Sequence, residues 1–163
     1  MNEHIHALIE IQNRSYDRAS AGLQSSYPRR LAMDAARMNA FLEEKRYAVL
    51  ATGRRDGQPQ AAPIAFSVWR DAFWIATVDG ARLRNLRARP YAAIVVMEGD
   101  VRRRHRAVVA EGSVIVHEGT RVIDADPVFG ERWRTHHGGR PEWAAAMLEL
   151  RPVRIFSFDG ALE

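Results

Sequence analysis

Cysteine is absent from this chain. Disulfides, thiolate nucleophiles and cysteine metal sites are thereby excluded, and the absence fits a cytoplasmic protein. Lysine is nearly absent as well: Lys45 is the single lysine among 24 basic residues. No apolar run approaches the roughly 20 residues that a membrane helix needs. The opening MNEHIHALIE lacks the basic-then-apolar order of a secretory signal. No internal repeat or low-complexity tract is present.

What remains is a chain of 163 residues, 47% hydrophobic and 27% charged, of the right size for one core. The net charge of +4 is carried almost wholly by arginine, which grips phosphate and carboxylate through a planar fork. Spread over the chain, that charge is too modest to indicate nucleic acid.

The stretch Thr77 to Pro90 organises the reading. Ala72 to Thr77 is a short apolar run that reads as a buried strand. Asp79-Gly80 reads as a turn pair tolerant of positive φ. A basic helix follows, with Leu83 and Leu86 one turn apart, and Pro90 ends it. A strand, a turn and an arginine-bearing helix start can hold a phosphate between free N–H groups and a guanidinium. The same residues also suit a surface helix with a solvated arginine face.

Around it, residues 1 to about 18 predict a helix, with Ile5, Leu8 and Ile9 on one face. Residues 19 to 30 read as a linker, which divides the chain into 1–30 and a domain of 31–163. A second helix is expected from Met33 to Glu44. Tyr47–Gly53 is a strand, Asp56-Gly57 a hairpin turn, and Gln58–Trp69 the returning strand. Pro59 and Pro63 put part of that strand at an edge or bulge. Tyr91–Glu98 and His105–Val116 follow as strands, separated by a charged loop at Val101 to Arg104. Gly112 marks a bulge or close backbone approach. Residues 119 to 139 are irregular and partly helical. Pro141 predicts a helix over PEWAAAMLEL, broken by Arg151-Pro152, before a sixth strand at Val153–Phe158. The fold class is mainly β (α+β): a six-stranded antiparallel barrel with peripheral helices.

Other constellations carry less. Adjacent His136 and His137 diverge on a helix or strand, and no third ligand stands at a familiar spacing, so no metal site is expected. Ser67 and Ser113 lack a nearby His-Asp pattern, which leaves nucleophilic catalysis unsupported. The run Arg102 to Arg106 lacks interleaved aromatics for base stacking.

In sequence, FLEEKRYAVLATG, DGQP, QPQAAPIAF, FWIAT, GARLRNLRARP and HRAVVAEGSVIVHEG resemble the pyridoxamine 5'-phosphate oxidase-like split β-barrel superfamily. The resemblance spans about Phe41 to Glu118. It implies a homodimer with flavin mononucleotide (FMN) between the subunits, and an oxidoreductase acting on a small molecule. It implies that Thr77 offers its hydroxyl to the phosphate, with Arg82 as the charged clamp and Ala76 among the cofactor-binding residues. Ala62, Pro63 and Ile64 would offer backbone to the flavin ring, and Arg106 would reach it from the partner, unless it is a solvated strand end. The family's Ser-Arg-Lys is Ala81-Arg82-Leu83 here, which makes Arg84 a competitor. An arginine common in the family is replaced by Ala62, and a C-terminal Arg-x-His pattern is missing. Both departures argue against a true pyridoxamine-phosphate oxidase. The alternatives to FMN chemistry in the same fold are the deazaflavin coenzyme and a non-catalytic flavin carrier. No catalytic residue is singled out.

Overall fold

The computed structural model describes residues 3–99 and 104–160. Val101 to Arg103 of the expected charged loop, and the first two residues of the expected first helix, lie outside them. Six antiparallel strands close into a barrel in the order β1-β2-β3-β6-β5-β4. They are β1 (Tyr47–Gly53), β2 (Pro59–Trp69), β3 (Ala72–Thr77), β4 (Tyr91–Gly99), β5 (His105–Glu118) and β6 (Ala146–Gly160). The helices are α1 (Glu3–Asp17), α2 (Ala21–Ser26), α3 (Ala35–Glu44), α4 (Ala81–Ala88), α5 (Arg121–Ala125) and α6 (Pro127–His137). The predicted linker thus contains α2 and a 3-10 turn at Arg29–Leu31.

Strand alternation fills the barrel. Leu50 on β1, Ile64 and Phe66 on β2, Ile94 on β4 and Val108 on β5 point inward and are buried. Helix α1 joins this core through Ile5 and Leu8. It is strapped to β6 by polar contacts: Tyr16 donates to the Ser157 carbonyl at 2.8 Å, and Ser15 Oγ accepts from Ile155 N–H at 3.0 Å. Such buried bonds fix the helix's register, because breaking one strands its partner without water. A second cluster, with Trp74, Ala76, Phe129, Trp133 and Met147, packs α5 and α6 on the outside of β3 and β6.

Two expectations fail for instructive reasons. Residues 146–150 are strand rather than helix. Ala146, Met147, Leu148 and Leu150 are buried, because the core lies on one side and the α5–α6 layer on the other. A run buried on both faces has no period of two to read. Nor does Arg151-Pro152 break the chain. Pro152 sits at a bulge opposite Gly112, where a Cβ on Gly112 would lie 1.9 Å from the Arg151 carbonyl oxygen. Close backbone approach is therefore what the glycine serves.

Helix α4 lies over one end of the barrel. Leu83 and Leu86 are fully buried, each contributing about 2 kcal/mol of apolar burial. Gly80, its N-cap, has φ −158°, so the extended backbone there makes no use of glycine's freedom.

Candidate cofactor site

The barrel is split at one place. β2 pairs with β1 along Pro59–Ala65 but with β3 only along Phe66–Trp69. Beyond Ile75, β3 is paired with β6 alone. The two strands part there, leaving the Pro59–Ala65 edge of β2 without a neighbouring strand. Peptide groups on such an edge need partners from a side chain, water or a ligand. Pro59 and Pro63, which have no N–H to offer, lie on this stretch, in keeping with the edge position expected for them. Asn85 of α4 closes the far end, donating to Gln60 Oε1 at 2.9 Å and Thr52 Oγ1 at 3.1 Å.

Thr77 and Arg82 meet at the mouth of the split. Thr77 is 1% exposed, and Arg82 donates to its hydroxyl oxygen at 3.3 Å. No carboxylate pairs with Arg82 among the described residues, and burial holds its guanidinium pKa below the usual arginine value. It stays charged at any physiological pH. Gly80 gives α4 no side-chain cap, so the first-turn N–H groups also lack an acceptor from that residue. A half-buried, unpaired guanidinium beside a hydroxyl and an uncapped helix start is an arrangement suited to an anion. Arg84, the competitor, lines a separate groove on α4 with Arg54, Arg55 and Arg87.

The other expected residues divide. Ala61, Pro63 and Ala65 face outward, whereas Ala62 lies on the inward side with buried Ile64. Ile64 can therefore serve a ligand only through its backbone, and only one of the small pair Ala61-Ala62 is turned outward. Ala76 is buried beneath the α5–α6 layer and, with Ala65, lines a hollow of about 450 Å³. Arg106 is taken up within its own chain: it donates to Glu98 at 2.6 Å and Glu44 at 3.2 Å. Those hydrogen bonds raise its pKa, Glu98's being the strongest.

The same hollow holds residues that sequence reasoning passed over. Ser67 has histidine neighbours after all: its Oγ lies 3.1 Å from His136 Nδ1 and 3.0 Å from His137 Nε2. His136 Nε2 is 3.6 Å from Glu43, which also pairs with Arg132. The set resembles a Ser-His-carboxylate relay in composition only. Ser67 is 1% exposed, sealed beneath both rings, and cannot reach a substrate. Burial, then Arg132 and Arg46, hold the His136 pKa at about 4. Burial also lowers His137, against the opposing Phe66 backbone. Two neutral imidazoles sharing one hydroxyl clamp the end of α6 onto β2. Beneath them Trp133 packs 4.2 Å from the His137 ring, its buried indole N–H without a partner among the described residues.

A closed six-stranded antiparallel barrel, parted between β2 and β3 and ringed by helices, defines the split-barrel class. Residues 35–158 match the family profile described as pyridoxamine 5'-phosphate oxidase, and the chain belongs to that family. Solved structures agree on the fold. Conserved hypothetical protein Rv2991 from Mycobacterium tuberculosis is 21% identical, with a TM-score of 0.68 over 82% of this chain and 89% of that one. A FAD-binding protein from Mesorhizobium loti is 16% identical, with a TM-score of 0.61 over 80% and 97%. HutZ, the heme storage protein of Vibrio cholerae, is 18% identical, with a TM-score of 0.61 over 77% and 94%. No curated protein matches the sequence.

Proposed function

We propose that this protein is a homodimeric oxidoreductase that binds FMN in the split between β2 and β3 and acts on a small molecule. The observation that carries the reading is Arg82: desolvated, unpaired among the described residues, and set against Thr77 at the mouth of the cleft. A phosphate placed there would supply the missing counter-charge. The β2 edge would supply peptide groups to the polar rim of a planar ring, and outward Ala61 and Ala65 leave room for it. Flavin, when bound, supplies hydride and electron transfer; the chain's own part is to hold, orient and desolvate it.

The dimer is supported by an apolar patch beside the cleft. Tyr47 (75% exposed), Val49 and Met97 (64% exposed) share the outer face of β1 and β4. Large apolar groups grouped this way mark interaction surfaces. Arg106 would then face a partner only if its carboxylates released it.

One observation favours a longer cofactor. Arg54, Arg55 and Arg84 line their groove with no ion pair to a described residue, which suits the acidic tail of the deazaflavin coenzyme. Native mass spectrometry of the purified protein, followed by a visible absorbance scan, tests the whole reading. A dimer carrying a flavin mass and a yellow chromophore supports FMN. A colourless monomer that takes up neither cofactor on addition overturns the proposal. A bound cofactor that no nicotinamide reduces would instead favour a flavin carrier.

A further inference from the structure

A second hollow, of about 780 Å³, lies on the outer wall of β3, β6 and β5, between α1 on one side and α5–α6 on the other. It shares no lining residue with the hollow beside the β2–β3 split. It gathers at the start of β3, whereas the anion corner sits at that strand's end.

One wall is aromatic. Phe129 lies 4.8 Å from Trp74 and 6.2 Å from Trp69, ring centre to ring centre, the latter pair stacked at 16°. The charged groups in the lining are three carboxylates, Asp71, Asp126 and Glu149, against two guanidiniums, Arg70 and Arg151. Two of the carboxylates are satisfied. Asp126 caps α6 through Val128 and Phe129 N–H, accepts from the Trp69 indole, and pairs with Arg70 at 3.0 Å. Glu149 is held by His117 at 2.8 Å and Arg151 at 2.7 Å.

Asp71 is the exception. Its Oδ1 is buried with no hydrogen-bond partner among the described residues, and the nearest cation candidate among them, His4 Nδ1, stands 3.7 Å away. That is too long for a hydrogen bond. The side chain as a whole is 46% exposed, so it is the other oxygen, Oδ2, that a donor entering the hollow can reach. The backbone holds it there: Arg70 and Asp71 have φ of 47° and 63°, the left-handed pair of a tight hairpin.

We propose that this hollow is a second ligand site, distinct from the cofactor cleft, which takes a small organic ammonium with a flat ring. Among the described residues, Asp71 is the one carboxylate of the lining that accepts no hydrogen bond, and it calls for a cationic N–H donor. Trp69, Trp74 and Phe129 line the hollow and offer apolar surface to the ligand's ring, with His4 5.0 Å from Trp69 and His117 stacked 5.2 Å from Trp74 beside them. An anion of the same shape would meet Asp71 unscreened, since both guanidiniums are already paired. The site is independent of whether the cleft holds a flavin.

Benzylamine, benzyl alcohol and benzoate form a set of probes equal in shape and differing in charge. Their binding to the purified full chain is measured by isothermal titration calorimetry and saturation-transfer NMR. Benzylamine is expected to bind most tightly, with saturation transfer from tryptophan protons, and benzoate least. Asp71→Asn keeps a residue that tolerates positive φ and removes the charge. It is expected to weaken benzylamine about tenfold or more while leaving benzyl alcohol unchanged. Trp74→Leu is expected to weaken both. Thermal melting confirms that each variant is folded; should Asp71→Asn fail to fold, the benzoate comparison on the wild-type chain decides. Benzoate binding as well as benzylamine, no benzylamine binding in the millimolar range, or an unchanged affinity in Asp71→Asn would overturn the proposal.

Discussion

Replacing Arg82 by Met keeps the apolar stem and removes the guanidinium. In the free protein that charge is desolvated and, among the described residues, its hydrogen-bond partner is the Thr77 hydroxyl. Its removal relieves a desolvation cost and leaves Thr77 still donating to the Val78 carbonyl. The unliganded variant should therefore melt no lower than the wild type. Binding should move the other way. A guanidinium–phosphate contact is charge-assisted and contributes about 1.5–3 kcal/mol, so FMN affinity should fall roughly 10- to 150-fold. Riboflavin, which has the ring but no phosphate, serves as the internal control: its affinity should not change. Fluorescence quenching titrations with both ligands, beside thermal melts, give the comparison. An FMN affinity that survives the change would remove Arg82 from the site. A parallel loss for riboflavin would show that the substitution disturbs the ring pocket and that the corner does not read phosphate. A large drop in melting temperature would mean that Arg82 is structural.

Three further outcomes follow from the same geometry. His136 has its pKa lowered from 6.5 to about 4 in the folded state, so the unfolded chain binds more protons between those values. The neutral clamp should be at full strength above about pH 6.5 and weaken as pH falls towards 4. The loss is at most about 3 kcal/mol, and nearer half that once solvent screening is allowed for; urea unfolding at pH 7.5 and 4.5 would show it, and its absence in His136→Gln would assign it. Gly112→Ala forces a Cβ into the Arg151 carbonyl and should cost about 3 kcal/mol or more, read as a fall in denaturation midpoint; a neutral result would mean that the β5–β6 bulge can shift. Val49→Glu on the exposed β1 face should convert the proposed dimer to monomer in analytical ultracentrifugation without lowering secondary-structure content; an unchanged mass would place the interface elsewhere.

The meeting of Thr77 with Arg82 was readable in the sequence because the two are neighbours in it. Thr77, Gly80 and Arg82 fall within a few residues, and the strand, turn and helix that align them are local events. The bounds of β1 and β3 followed from apolar runs that end at turn residues. The helix expected over PEWAAAMLEL failed because burial on both faces erases the two-residue period, and only the α5–α6 layer outside β6 supplies the second face.

The sequence by itself determined that this is one cysteine-free, arginine-rich barrel with an arginine-bearing helix start after its third strand. Those properties follow from composition and from periodicities spanning a few residues. Only the tertiary structure decided where the barrel opens, since β2 and β3 part according to which strands each pairs with, a long-range matter. It also brought Ser67 to histidines 69 and 70 positions away, tied Arg106 to Glu98 and Glu44, and left Asp71 Oδ1 without a donor among the described residues. A side chain's charge is written in the chain; whether a partner meets it depends on residues far apart in sequence being folded onto the same few ångströms.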